Sequence, residues 1–200
     1  VPSVHFASTT QFTPSAPITS RTFSNVYYNT DGGCIVSGSL VRIIRHNMLT
    51  TCPVEEIQPG TTVITRSGQS IVERVIKMAY FGKVSKLGSL MLTNYHPVYY
   101  DDKWCFPCEL DVFEQVEVEN TYVYDFILSD GDSIDMLECY AITLGHNIEN
   151  DPVATHEYFG TDAIIMDLKK HHQWSSMYIT LDLYTWTRDQ ITNRVNGLLF

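Results

Sequence analysis

Apolar and polar positions divide this chain into three stretches. Residues 1–33 keep neither a two-residue nor a 3.6-residue period: 14 of them are Ser, Thr or Pro, and only Arg21 and Asp31 carry charge. A segment with so little to bury reads as a linker or extended arm. Val26-Tyr27-Tyr28 is its one strand candidate, and the folded unit begins within residues 29–33. From Cys34 onward, short apolar runs alternate with turn signals roughly every eight to twelve residues, which predicts an all-β fold.

The runs are 40–44, 61–65, 71–78, 84–92, 97–100, 112–118, 121–128 and 134–143. Arg66-Ser67-Gly68-Gln69 and Ser129-Asp130-Gly131-Asp132 predict hairpins, and Asp101-Asp102 a turn. Residues 112–118 alternate as a half-buried strand should. Cys52-Pro53-Val54-Glu55-Glu56-Ile57 predicts one helical turn, with proline near its first position, acids in its first turn and Pro59-Gly60 as its stop. After His146 the pattern becomes mixed: 163–174 predicts a strand running into a helix, 177–187 another strand, and 189–196 has no period. The expected organisation is an arm at 1–33, a β domain at 34–147 and a small mixed extension at 148–200 packed on it.

With 44% apolar residues among 200, the chain can bury a real core. A formal charge of -10, from 13 basic and 23 acidic residues, argues against nucleic acid as the main partner. No stretch approaches the roughly 18 apolar residues of a membrane span. No initiator Met or targeting peptide precedes Val1-Pro2-Ser3, so the sequence reads as part of a longer protein. Five cysteines, an odd number, imply at least one free thiol and favour a reducing intracellular compartment.

One of those cysteines opens the folded unit, behind Gly32-Gly33. The Cys34 sulfur sits one carbon from its own backbone nitrogen, so it can attack the Gly33 carbonyl and convert the amide to a thioester. Glycine suits the other side of that bond because groups can approach it closely. Such a shift needs a proton for the departing nitrogen, and Thr93-Asn94-Tyr95-His96-Pro97 ends an apolar run with a residue suited to give it. A threonine three residues earlier can hold the same peptide group. The competing reading of Thr93 and His96 is a pair satisfied within a strand-end turn. Asp125 lies in an apolar strand, where a carboxylate is costly unless paired; it is either a tuned acid or half of an ion pair. His146 follows a glycine at a strand end, where a side chain can approach backbone.

Gly32-Gly33-Cys34, Thr93-x-x-His96, Tyr124-Asp125-Phe126 and Glu138-Cys139-Tyr140-Ala141 together resemble the Hint module shared by inteins and the Hedgehog autoprocessing domain. His96-Pro97-Val98 with Trp104 and Pro107, Thr143-Leu144-Gly145-His146, and His156-x-Tyr158-Phe159-Gly160-Thr161 are similar to its Vint branch, found beside von Willebrand A-type domains. The resemblance implies a horseshoe of short strands with pseudo-twofold halves and Cys34 in a central cleft. It implies Cys34 as nucleophile, Thr93 and His96 as the pair distorting and protonating the scissile Gly33–Cys34 amide, and Asp125 as an acid near the thioester. His146-Asn147 resembles the His-Asn pair at an intein's C-terminal splice site. A von Willebrand A-type domain is the implied neighbour in the parent protein.

Two departures narrow the reaction. Ile148 follows Asn147 where an intein needs Cys, Ser or Thr, which argues against splicing. The Hedgehog branch uses an aspartate ahead of its Thr-x-x-His strand to activate a sterol, but between Thr61 and Tyr95 the only acid is Glu73. The expectation is cleavage or ligation at Gly33 by water, a thiol or an amine, with the N-terminal segment as substrate and no cofactor. The alternatives are a non-catalytic interaction module on the same fold, a trans-acting cysteine peptidase, and a small zinc module built on Cys105-x-x-Cys108 with Cys52 or His171-His172.

Overall fold

In a computed structural model of the chain, the described residues are 33–182 and 186–200; the strand expected at Val26-Tyr27-Tyr28 lies outside them. The first element, β1 (Ile35–Val36), has two residues and lies in the middle of a sheet. That sheet also holds β2 (Leu40–Arg45), β3 (Met48–Pro53), β4 (Thr62–Thr65), β5 (Gly68–Leu87), β6 (Leu90–Thr93) and β9 (Glu114–Leu128), in the order β3-β2-β4-β5-β6-β1-β9. β12 (Tyr178–Leu181) joins it by pairing parallel to β5. A second sheet has the order β10-β11-β7-β8, from β7 (Val98–Tyr100), β8 (Lys103–Cys105), β10 (Ser133–Asp135) and β11 (Tyr140–Ile142). Near the C-terminus β13 (Trp186–Arg188) pairs with β14 (Val195–Leu198).

The expected β4–β5 hairpin forms, with Arg66-Ser67 as its two-residue turn between paired Thr65 and Gly68. β5 joins the runs expected at 71–78 and 84–92 into one strand through residues 79–83. No turn interrupts it: the register shifts between Tyr80 and Gly82, and Gly82 takes φ +132, so a bulge bends the strand instead. The 84–92 run is cut at Gly88-Ser89, where Leu87 pairs with Leu90. β9 likewise merges 112–118 with 121–128 and pairs with β5 from Val72–Leu128 to Lys86–Glu114.

The hairpin expected at Ser129-Asp130-Gly131-Asp132 does not form. β9 is already paired to β5 and β1, so this turn carries the chain to the second sheet, where β10 pairs with β11. Residues 123–127 and 133–136 are buried on both faces, so alternation cannot name their partners. The β2–β3 hairpin was missed. β3 is exposed except at Cys52 and Pro53, and its turn is made by His46 and Asn47, both at positive φ. Residues 54–56 form a 3-10 turn, shorter than expected because Cys52 and Pro53 stay in β3. The helix α1 spans Asp162–Leu168, buries Ile164 and Leu168 on one face, and is capped by Thr161, whose Oγ accepts from Ala163 N–H.

Side-chain alternation along residues 34–36 sorts them between two cores. Ile35 joins a cluster with Leu90, Leu92, Phe126 and Ala141. Cys34 and Val36 face the other way, into a cluster with Ile76, Met78 and Val123 that is completed by Phe159, Ile164, Leu168, Ile179 and Leu181. The C-terminal residues thus build much of the core on the cysteine's side. Ile35 is completely buried, so Ile35→Ala is expected to cost about 2–5 kcal/mol, read as a lower urea midpoint with intact slope.

Candidate active site

β1 is held antiparallel between β6 and β9, with Ile35 opposite Leu92 on one side and Tyr124 on the other. One step back along each ladder, the register sets Cys34 across from Thr93 and across from Asp125. Three candidates separated by dozens of residues are therefore brought together by a two-residue strand. The Cys34 N–H donates to Thr93 Oγ1 at 2.9 Å, the Thr93 N–H donates to Cys34 O at 3.0 Å, and the Thr93 hydroxyl lies 3.4 Å from that same carbonyl. Thr93 thus holds both peptide groups that flank the Cys34 Cα, the Gly33–Cys34 amide through its N–H and the Cys34–Ile35 amide through its carbonyl.

His96 arrives through the turn that ends β6. Its N–H donates to Thr93 O at 3.0 Å, and Pro97 stops further extension. The imidazole is fully buried, and its Nε2 lies 3.0 Å from Ile142 O. A carbonyl can only accept, so Nε2 carries the proton and the neutral ring presents its Nδ1 lone pair. Among the described residues Nδ1 meets no partner at hydrogen-bond geometry, although the nearby Gly33 backbone raises the ring's basicity. Gly33 packs directly on this ring: a Cβ at position 33 would come within 2.7 Å of Nδ1 and 2.8 Å of His96 Cα. Burial lowers the His96 pKa to about 4; the Ile142 and Gly33 backbone contacts oppose that shift and neighbouring His146 adds to it.

Asp125 is buried and has no ion-pair partner among the described residues; its Oδ1 accepts from Phe126 N–H at 2.7 Å. Burial holds its carboxyl well above the usual range, so it is a perturbed acid rather than half of an ion pair. Gly33, Cys34 and Asp125 line a cavity of about 20 Å³ with Leu144, Phe159, Leu181 and Trp186, the rest of its wall being apolar. Two larger clefts, of about 330 and 320 Å³, contain neither Cys34 nor His96.

His146 follows β11 and is buried. Its Nδ1 accepts from Ile148 N–H at 3.0 Å, and its Nε2 has no partner among the described residues. Two backbone bonds, Gly145 N to Phe159 O at 2.8 Å and Asn147 N to Gly160 O at 2.7 Å, seat this turn against 159–160. Gly160 must lack a side chain there, since a Cβ would fall 2.7 Å from His146 Nε2. Burial, partly opposed by Asp132, lowers His146 to about 4. The Asn147 side chain is exposed and donates back to Gly145 O at 3.1 Å. His156, noted in the sequence only as part of a motif, is a further buried imidazole. Its Nδ1 accepts from Tyr158 N–H and Phe159 N–H, and burial, reinforced by His146 and Arg194, lowers it to about 3.

The Cys105-x-x-Cys108 pair is engaged elsewhere. The Cys105 thiol donates to Val98 O at 3.6 Å, and burial and then Glu109 push Cys108 up to about 11. Among the described residues, no three His, Cys, Asp or Glu side chains gather to hold a metal ion, so the zinc alternative lacks a ligand set. None of the five cysteines is in a disulfide.

The Vint family, described as a Hint-domain, matches residues 33–197. The chain belongs to the Vint family of Hint domains. The match begins one residue before Cys34 and runs through the segment that closes the cysteine's core. The all-β architecture expected of a Hint fold, with a small mixed C-terminal part, is the one observed. Among solved structures, a DnaB intein from Synechocystis sp. PCC 6803 is 13% identical with TM-score 0.44, over 56% of this chain and 99% of its own. The gp41-1 intein is 11% identical with TM-score 0.42, over 56% of this chain and 100% of its own. Comparison with the sequences of curated proteins finds no match.

The buried histidines give a pH dependence whose sign is fixed. His96, His146 and His156 have folded values of about 4, 4 and 3, below the ordinary 6.5. Their contribution is therefore complete above pH 6.5 and is lost as pH falls toward those values. Asp125, shifted upward, acts in the opposite sense and offsets one proton. With three protons gained by the unfolded chain and one by the fold, stability should fall by about 3 kcal/mol per pH unit at its steepest, near pH 5. Urea midpoints measured from pH 7 to 5 check this; a flat profile contradicts it. Asp125→Asn should steepen the profile.

Proposed function

We propose that this Vint domain processes its own chain by an N–S acyl shift at Gly33–Cys34, followed by cleavage or ligation at the resulting thioester. Membership in an autoprocessing family sets the class of reaction. The observation that carries the specific reading is the pairing of two contacts on one peptide group: Thr93 Oγ1 accepting the Cys34 N–H, and His96 Nδ1 packed on Gly33.

Because neutral His96 presents a lone pair and not a proton, it acts first as a base. Nδ1 takes the thiol proton of Cys34, and the thiolate adds to the Gly33 carbonyl carbon. The C–N bond then breaks, and the imidazolium returns the same proton to the Cys34 nitrogen. The products are a Gly33 thioester and a free Cys34 amine, with no net proton change. Burial favours return of the proton, since a charged ring in this site is costly. Thr93 keeps the Cys34 peptide group aligned throughout. Asp125 lines the cavity that holds Gly33 and Cys34, and His146 is a second neutral imidazole near enough to lower the His96 pKa.

Residues 1–33 are the substrate segment in this reading, 34–147 the processing body and 148–200 an extension that closes it. The exposed Asn147, tied to its own loop and followed by Ile148, supports cleavage over splicing. The acceptor is a small nucleophile.

Intact-mass measurement of the purified chain, with and without hydroxylamine, tests the proposal. A fragment ending at Gly33 is the expected product. Cys34→Ala should abolish it, and His96→Ala should slow it by about 10²–10⁴-fold. Gly33→Ala leaves the electrophile chemically equivalent but drives a methyl into the His96 ring, so cleavage should fall at least about tenfold. An unchanged mass after long incubation with hydroxylamine would leave the interaction-module reading in front.

A further inference from the structure

The cavity beside Cys34 is closed by residues far beyond the catalytic motifs. Phe159 lies on the segment before α1, Leu181 at the end of β12, and Trp186 at the start of β13. Each is fixed independently. β12 is held by parallel pairing of Leu181 with Met78 on β5. Trp186 meets Phe159 edge-on, with ring centroids 5.2 Å apart and planes at 86°. The Phe159 ring is also packed by Tyr158 at 5.4 Å and His156 at 4.6 Å, and its carbonyl accepts from Gly145 N–H. Phe159 and Leu181 are almost completely buried, and Trp186 is half-buried. Close-packed walls of this kind do not expand freely.

The space they leave is narrow, about 20 Å³ for the centre of a water-sized molecule, which suits water and other small nucleophiles. We propose that Phe159, Leu181 and Trp186 act as a size filter over Gly33 and Cys34, so that the thioester is resolved by water, or a nucleophile of similar size, while bulkier thiols and amines are excluded. The proposal rests on the thioester reading above and assigns its natural acceptor. In the step itself, the water oxygen adds to the Gly33 carbonyl carbon and the carbon–sulfur bond breaks. One proton of the water goes to the departing sulfur and the other to solvent, leaving a Gly33 carboxylate and a Cys34 thiol. On this assignment residues 148–200 determine the outcome of processing although none of them takes part in the acyl shift.

The test compares release of the Gly33-terminated fragment in water alone, in hydroxylamine and in dithiothreitol, for the full chain and for Trp186→Ala. In the full chain, hydroxylamine should accelerate release while dithiothreitol adds no more than about twofold. In Trp186→Ala the thiol-dependent rate should rise by about tenfold or more, and the hydroxylamine rate should stay within about threefold. Leu181→Ala, which widens the same cavity from another strand, should shift the ratio in the same direction and decides the matter if Trp186→Ala does not fold. Equal acceleration by dithiothreitol in the full chain and in a folded variant overturns the filter while leaving the thioester intact. Release in none of the three conditions, with hydroxylamine equally silent in every variant, removes the thioester reading and the filter with it.

Discussion

Everything chemical in this molecule depends on the register of a strand two residues long. Ile35 and Val36 are buried between β6 and β9, and a slip of one residue would turn Ile35 out of one core and Cys34 out of the other. The cost of exposing those side chains fixes the pairing, and the pairing puts Thr93 and Asp125 on either side of Cys34. Hydrophobic burial is therefore what aligns the site. The hydrogen bonds of Thr93 refine an alignment that packing has already imposed.

Burial also decides how the site handles protons. Three imidazoles, His96, His146 and His156, and one carboxyl, Asp125, are largely removed from water. Each is driven toward its neutral form. For His96 the Ile142 carbonyl adds a second constraint, because it fixes the tautomer and leaves Nδ1 bare beside Gly33. A neutral imidazole with its lone pair against Gly33 suits the proposed reaction, which borrows one proton and returns it. The same burial makes the fold sensitive to acid.

The C-terminal segment has a larger place than an appendage would. β12 enters the main sheet, and Ile164, Leu168, Ile179 and Leu181 share a core with Cys34 and Val36. The loop carrying His146 is seated by Phe159 and Gly160, so the two ends of the domain meet at the cysteine. The family match running to residue 197 agrees with that integration.

Much of this was legible in the amino-acid sequence. The spacing of short apolar runs pointed to an all-β chain, Gly33-Cys34 marked the junction, and Thr93, His96, Asp125 and His146 stood out by residue type and place. Their local setting is written in nearest neighbours: a proline after His96, a glycine before His146, an unbroken apolar strand around Asp125. What alternation could not reveal was partnership. Residues 123–127 and 133–136 are buried on both faces, so their pattern is silent on which strand each will meet, and the turn between them looked like a hairpin when it is a passage between sheets. The exposed β3 carried no pattern to read. Phe159 stood out only as part of a motif and nothing marked Leu181 or Trp186 as its neighbours, because the wall of a cavity is defined by what converges from distant parts of the chain. Residue chemistry is a local property and is carried by the sequence; which surfaces bury one another is a property of the whole fold, and only the tertiary structure decided it.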